Sequence, residues 1–370
     1  MALTEKQVLD ALKHVIEPEL HKDIVSLDMV KDLTVKANDI SFNLELTTPA
    51  CPLKDVIERA ARAELGKLPG IGRVDIKLTS NVSSNASLRG VLNIAVRNII
   101  AVASGKGGVG KTTVAVNLAL ALHQSGARVG LLDNDVYGPN VPIMLGLPTA
   151  ELDPDGKHTV PSIAQKDGKL IPVLSHGIKV FSIGFIYPPE APLVWRGPML
   201  HSAIRQFLQD VDWGELDYLI VDMPPGTGDS QLSLAQVASG VMGLIVTTPQ
   251  LVSLSDAQKG LAAFEQLKVP VLGVIENMGP YMDPNTGAKV ALFGEGGGQR
   301  LAAMKDVPFL GSVPLDPLVR LGGDTGRPVV IADPASETAQ RFKEIAEQVA
   351  ARVSVVNFQD SNVIPISIVG

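Results

Sequence analysis

The stretch ASGKGGVGKTT, Ala103–Thr113, holds four glycines and two lysines in eleven residues, a pattern that two different nucleotide-binding loops share. Gly105, Gly107 and Gly110 satisfy the G-x-G-x-x-G of a dinucleotide fingerprint, with Asp133 near the place of a ribose-binding acid. Gly105 also opens G-x-x-x-x-G-K-[ST], completed by Gly110, Lys111 and Thr112. The apolar run Asn98–Ala103 precedes the motif, and a helical pattern follows to about Ser125, where Gly126 offers a C-terminal cap. Strand, glycine loop and helix in that order are the context of a phosphate loop, and a nicotinamide site has no use for Lys-Thr here. Glycines let successive N–H groups curl round a phosphate, and the helix N-terminus adds partial positive charge. Lys111 is therefore expected on the β- and γ-phosphates of a nucleoside triphosphate, and the Thr112 hydroxyl on Mg²⁺.

Such a site needs a carboxylate at the end of a later apolar strand. YLIVDMPPGTGD, Tyr218–Asp229, supplies Asp222 after the run Leu219–Val221. Pro224-Pro225-Gly226-Thr227-Gly228 follows as a turn suited to aiming backbone N–H groups at a γ-phosphate.

Working outward, short apolar runs alternate with helical patterns. Ile99–Ala103, Val129–Leu132, Tyr218–Val221, Leu244–Thr247 and Val271–Ile275 are the expected strands. The alternation implies an α/β fold, a P-loop NTPase parallel sheet flanked by helices on both faces. The beginning of the chain has another rhythm. Apolar positions from Val8 to Ile16 predict a helix over 4–17, with Thr4 and Gln7 in capping-box form. Asn38-Asp39 predicts a hairpin turn, Ile40–Leu46 a strand, Pro52 to Gly66 a helix, and Val74–Leu78 a further strand. The expected organisation is a small α+β domain over 1–80, a Ser- and Asn-rich linker over 81–97, the P-loop domain over 98–352, and a tail without assigned role over 353–370.

The 370 residues are 45% hydrophobic and 19% charged, with a net charge of −7, which argues against a surface built to neutralise nucleic-acid phosphates. The first ten residues lack the apolar run of a secretory leader, and nowhere do about 18 apolar residues follow one another. A single cysteine, Cys51, excludes an internal disulfide framework. The six histidines show no paired metal-ligand spacing. These features lead to the expectation of a cytoplasmic protein without nucleic-acid or membrane partners.

Lys106 falls outside the ordinary phosphate loop. K-G-G-x-G-K-[ST] resembles the deviant loop of the MinD, ParA and nitrogenase-iron-protein group. Within that group the chain, over residues 4–350, resembles the Mrp (ApbC-like) family of iron–sulfur cluster carrier ATPases. The likeness rests on LLDNDVYGPNVPIMLG (131–146), VWRGPM (194–199), VDMPPGTGD (221–229), VIENM (274–278), FGEGGG (293–298) and VPLDPLVR (313–320). TTPACPLK (47–54) adds the small accessory domain of iron–sulfur assembly type that precedes the ATPase in many members.

The resemblance implies a homodimeric ATPase of slow turnover, using ATP and Mg²⁺. It implies that the protein binds, loads or transfers iron–sulfur clusters to apoprotein clients, or gates that assembly as an adaptor for assembly proteins. Gly105, Lys106, Gly107, Gly108, Val109, Gly110, Lys111, Thr112 and Thr113 would hold the nucleotide, and Asn277 its adenine. Lys106 would reach across the dimer in the manner of an arginine finger, acting in catalysis with Lys111 and with Asp135, which orients the attacking water. Asp133 and Asp222 would sit with Thr112 around the Mg²⁺. The alternative is a MinD- or ParA-like positioning ATPase, or a regulatory ATP-binding adaptor without a cluster. MinD-type membrane binding needs a basic amphipathic C-terminal helix, whereas the final SVVNFQDSNVIPISIVG has no Lys or Arg.

The chain departs from the family at one place. Members carry Cys-x-x-Cys after E-N-M, and here Asp283 and Thr286 stand at those positions. Iron–sulfur clusters are held mainly by thiolates, which leaves Cys51. Its position just before a helix starting at Pro52 would lower its pKa and make it a candidate cluster ligand. A buried packing cysteine is the other reading. Gly294–Gly298 lacks a following Lys-Thr and is no second phosphate loop, and Trp195 marks either a partner surface or a half-buried core position.

Overall fold

The computed structural model describes residues 3–85, 94–149, 151–152, 158–159, 163–187, 197–226, 229–283 and 285–361. Chain contacts divide it into two units, Met1–Ser83 with Ala350–Gly370, and Ser84–Val349.

In the first unit, helix α1 (Glu5–Leu12) opens on the capping box expected at Thr4 and Gln7. It ends well short of residue 17. Pro18 cannot continue a helix, and Ile16–Glu17 pairs instead with Lys22–Asp23. Val15 is thereby buried while Ile16 is 51% exposed, so the two do not share the helix face predicted for them. Strands β1 (Val30–Lys36) and β2 (Asp39–Leu46) form a hairpin. Its turn is Ala37-Asn38, one residue earlier than expected, both with positive φ, as a tight two-residue hairpin requires. Helix α2 (Lys54–Leu65) crosses over to β3 (Val74–Ser80), which lies parallel to β2. One face of sheet and helices buries Val8, Leu12, Phe42, Leu44, Ile57 and Leu65.

The second unit is built on an eight-stranded sheet. In chain order its strands are β4 (Ile99–Ser104), β5 (Val129–Asp133), β6 (Val173–Ser175), β7 (Ile178–Ser182), β8 (Tyr218–Asp222), β9 (Val241–Thr247), β10 (Val271–Gly279) and β11 (Phe309–Pro314). Across the sheet they run β6-β7-β5-β8-β4-β9-β10-β11, all parallel except the hairpin of β6 with β7. The central strands are buried along their whole length, which is why they read as unbroken apolar runs. Helices α3 (Lys111–Gln124), α4 (Gly197–Gln209), α5 (Asp229–Val237), α6 (Leu251–Gln266), α7 (Gly297–Met304) and α8 (Pro317–Asp324) accompany it. Helix α3 is apolar nearly all round because it is almost wholly buried, and it ends, as expected, with Gly126 in a left-handed conformation.

A last helix, α9 (Glu337–Ser361), runs through the segment expected to be a tail as far as Ser361. Its residues from Ala350 count with the first unit, where Asn357 Nδ2 donates to Ser83 O and the Lys22 ammonium stands 4.8 Å from the Phe358 ring.

Two features place the site. β4 carries the phosphate-loop motif at its C-terminal end, and its neighbour β8 lies in register with β5, so that Asp222 is paired with Asp133. Chain connections leave β4 and β8 toward opposite sides of the sheet, opening the kind of crevice in which α/β proteins bind ligands.

Candidate functional site

The loop from β4 to α3 is held open by neighbours that leave no room for side chains. A Cβ on Gly105 would lie 2.1 Å from the Asp256 carbonyl carbon, and one on Gly110 would lie 2.1 Å from the Asn277 amide nitrogen. Gly110 also has φ +80°, a backbone that side chains rarely adopt. The loop lines a cavity of about 690 Å³ with Lys106, Gly107, Gly108, Gly110, Lys111, Thr112 and Thr113. Val109 is buried behind it and Gly105 is packed against α6.

Lys111 and Thr112 meet one carboxylate. The Lys111 ammonium donates to Asp222 Oδ1 at 2.6 Å, and the Thr112 hydroxyl donates to Asp222 Oδ2 at 2.7 Å. Asp135 Oδ2 lies 3.7 Å from the same ammonium, and its Oδ1 is buried without a hydrogen-bond partner among the described residues. Asp133 stands behind the cavity wall, fully buried. Its carboxyl accepts from the N–H groups of Asp135 and Val141 and from the Ser182 hydroxyl. Burial and the charge of Asp222 push Asp133 well above the usual carboxylate range, against the pull of Ser182 and Lys111. Burial likewise raises Asp135, opposed by Lys111 and reinforced by Asp222.

Two carboxyl groups, those of Asp222 and Asp135, thus stand at a single ammonium, with Asp133 buried behind them. This excess of hard oxygen donors, one of them unpartnered, fits a divalent cation. No group of three or more His, Cys, Asp and Glu side chains among the described residues forms a metal cage. That suits Mg²⁺ in phosphate sites, which it enters through one or two carboxylates, waters and the phosphates themselves.

Asn277 comes from a bulge in β10. Glu276 is paired with Ser312 and Gly279 with Pro314, so three steps on β10 match two on β11. Asn277 and Met278 both line the cavity as a result, and Asn277 Nδ2 donates to Val109 O at 2.9 Å, clasping the phosphate loop. Lys106 also lines the cavity and makes no ion pair among the described residues.

Two further walls come mostly from segments that the sequence marks by family likeness, without a role at the site. Tyr137, Ile143 and Met144 form one, and Leu315, Asp316, Val319, Arg320, Gly323 and Asp324 form the other. The second had a readable signal. Asp316-Pro317 is an N-cap followed by proline at the first helical position, and Asp316 Oδ1 does accept from Leu318 N at 2.8 Å.

Cys51 does not join this set. It lies in the apolar core of the first unit, 7% exposed. Burial pushes its thiol up to about 11, outweighing the Leu53 N–H at the sulfur, with Glu19 and Glu17 adding to the rise. The expected helix-terminus lowering is therefore reversed, because α2 begins only at Lys54 and the dipole effect fades within a turn. Asp283 and Thr286 lie at the tip of a short hairpin, Tyr281–Met282 with Lys289–Val290. Asp283 Oδ1 accepts from Asn285 N and Thr286 N, a turn cap in place of a thiolate pair. Those N–H groups hold the Asp283 carboxyl below its ordinary value. Thr227, Gly228 and Trp195 lie outside the described residues.

A phosphate loop at the C-terminal edge of a parallel sheet, with Lys111 and Thr112 converging on a strand-end carboxylate, defines a P-loop nucleotide-binding protein. Residues 95–350 match the NUBPL iron-transfer P-loop NTPases, and residues 5–78 match a domain of iron-sulfur cluster assembly proteins. The chain belongs to the NUBPL iron-transfer family, joined to that N-terminal domain. An iron-sulfur cluster carrier protein of Synechocystis sp. is 48% identical over 355 residues, covering 95% of this chain and 99% of that one. Another from Deinococcus radiodurans is 46% identical over 350 residues, covering 94% and 95%. Among solved structures, a nucleotide-binding protein from Archaeoglobus fulgidus in complex with ADP is 36% identical with a TM-score of 0.54, covering 67% of this chain and 93% of that one.

Proposed function

We propose that this protein is an ATP-driven switch of iron–sulfur cluster delivery, a homodimeric ATPase of slow turnover that loads or transfers clusters to apoproteins or gates their assembly. The observation that supports it most is the convergence of Lys111 and Thr112 on Asp222, in a chain whose family is described as iron-transfer. Lys111 exchanges Asp222 for the β- and γ-phosphates, and the loop N–H groups take the remaining oxygens. Thr112 and Asp222 would hold Mg²⁺, with Asp133 bracing the Asp135 backbone behind them. The metal would neutralise charge developing on the transferred phosphoryl group. Asp135, its Oδ1 unpartnered among the described residues, orients the attacking water, and Lys106 from the second protomer meets the transition-state charge. Asn277 sets the base end of the cavity. One cysteine supports a reducing compartment, the cytoplasm.

The cargo is the cluster, and the chain's own thiol supply does not suit it. Cys51 is its single cysteine and is buried and protonated. In this reading the cluster's thiolates come from the client or from assembly partners, and the protein supplies the nucleotide-timed step.

The test is ATP turnover and cluster transfer to an apo-ferredoxin for wild type, Lys111→Ala and Asp135→Ala. Lys111→Ala is expected to lose nucleotide binding. Asp135→Ala should keep binding and lose turnover by about 100-fold, the usual size of a general acid–base or water-positioning contribution. Undiminished turnover in Asp135→Ala removes its assigned role. Co-sedimentation of the wild type with liposomes or DNA in the presence of ATP would instead favour a positioning ATPase.

A further inference from the structure

Glu276 is the one residue of the V-I-E-N-M segment whose chemistry the nucleotide site leaves unexplained. It is 1% exposed, and a buried carboxyl group costs free energy unless donors surround it. Three do. Its Oε2 accepts from Gly298 N at 2.7 Å, and its Oε1 accepts from Gly296 N at 3.3 Å and from the Ser312 hydroxyl at 3.1 Å. None is a cation, and Glu276 forms no ion pair among the described residues. The donors belong to two other segments, the glycine loop that starts α7 and the facing strand β11. The fit is close, since a Cβ on Gly298 would lie 2.9 Å from the Glu276 Cβ.

The location matters more than the burial. Glu276 with Ser312 is the last regular pair before the register slips. The slip carries Asn277 to the phosphate loop and forces Met278 into a left-handed φ of 56°, a conformation that persists only where neighbours impose it. Gly279, just after, is pinned by Leu315 N donating to its carbonyl at 3.0 Å. One carboxylate therefore fixes the strand, the glycine loop and β11 at the point where the bulge begins.

We infer that Glu276 is a positioning residue for nucleotide binding, clamping the bulge so that Asn277 stays seated on the phosphate loop. It touches no nucleotide and acts through Asn277. The inference rests on the nucleotide-site reading above. In Glu276→Gln one oxygen becomes an NH₂ that, in either flip of the amide, confronts a backbone N–H, of Gly298 or of Gly296, so the clamp loosens without a change in size.

The experiment is a double-mutant cycle on the full chain, reading the Kd of Mg·ADP by calorimetry and KM and kcat for ATP. Glu276→Gln is expected to weaken ADP about 10-fold and raise KM to match, with kcat within twofold of wild type. In the Asn277→Ala background the same change should cost less than twofold, because the route of its action is already gone. Unchanged affinity in Glu276→Gln, or a full additive loss on top of Asn277→Ala, overturns the inference. Should Glu276→Gln fail to fold, Ser312→Ala removes a single donor. It is expected to weaken ADP about threefold in wild type and not in Asn277→Ala, and an unchanged Kd overturns the inference. A wild type that binds neither nucleotide overturns the site reading itself.

Discussion

At the scale of single residues, burial decides what each group can do. Cys51 is a small apolar filler whose thiol keeps its proton. A rise from an ordinary value near 9 to about 11 cuts the thiolate fraction at neutral pH about 100-fold. Alkylation by iodoacetamide at pH 7.5 should therefore be slower than for a free thiol by at least that factor, and should reach the ordinary rate once the chain is unfolded in urea. The opposite case is Asp217, where burial pulls the carboxyl up but the Arg128 guanidinium and N–H, helped by Arg97, bring it below its ordinary value. A depressed carboxylate stabilises the fold above its unfolded pKa of about 3.9, and that stability is lost as pH falls through the folded value. Asp217→Asn should lower stability at pH 7 by about 1–3 kcal/mol. It should also flatten the acid limb of melting temperature below about pH 4, as followed by circular dichroism.

Much of the site was legible residue by residue. The sequence marks Lys111, Thr112 and Asp222 one by one, and the structure brings them together. What the sequence could not show was that Asp222 holds both of the others, because that contact joins positions 110 and 111 residues apart. The burial of Glu276 was hidden for the same reason, since its donors lie 20, 22 and 36 residues away.

At the scale of elements, strands buried along their whole length declared themselves as apolar runs, while partly exposed ones did not. β6 and β7 each carry half-buried positions. Their link, His176-Gly177, has positive φ at both positions, the conformation of a tight hairpin turn, which an X-Gly dipeptide favours. Helix α1 is shorter than its sequence period predicts because Val15 fits a helical period yet is buried from a turn. The hairpin bearing Asp283 and Thr286 leads to a prediction at this scale. Thr286 is exposed and Asp283 half-buried at its tip, and Asp283→Cys with Thr286→Cys would place two thiols where the resemblance expects them. The double variant should take up iron and acid-labile sulfide on anaerobic reconstitution and show a visible absorption band, beyond any uptake by wild type. Equal uptake by both would show that the tip is not where a cluster docks.

At the scale of the whole molecule, the proposed ATP-dependent dimer makes a demand on one side chain. Lys106 lines the cavity and forms no ion pair among the described residues, so its charge is available to a second copy. Lys106→Ala should retain ADP binding within about threefold yet fail to dimerise with ATP in sedimentation velocity, with turnover reduced by about 10³-fold, the lower end of what an arginine-finger contact contributes. An ATP-dependent dimer that forms normally in this variant would locate the trans contact elsewhere. No helix among the described residues is long and apolar enough to cross a membrane.

The tie of Lys111 and Thr112 to Asp222 has a consequence for selectivity. A cradle that carries its own counter-ion does not hold out a bare charge to any passing anion. A phosphate entering the loop has to displace a tethered carboxylate, so a ligand must offer more contacts than a simple anion can before the exchange is favourable.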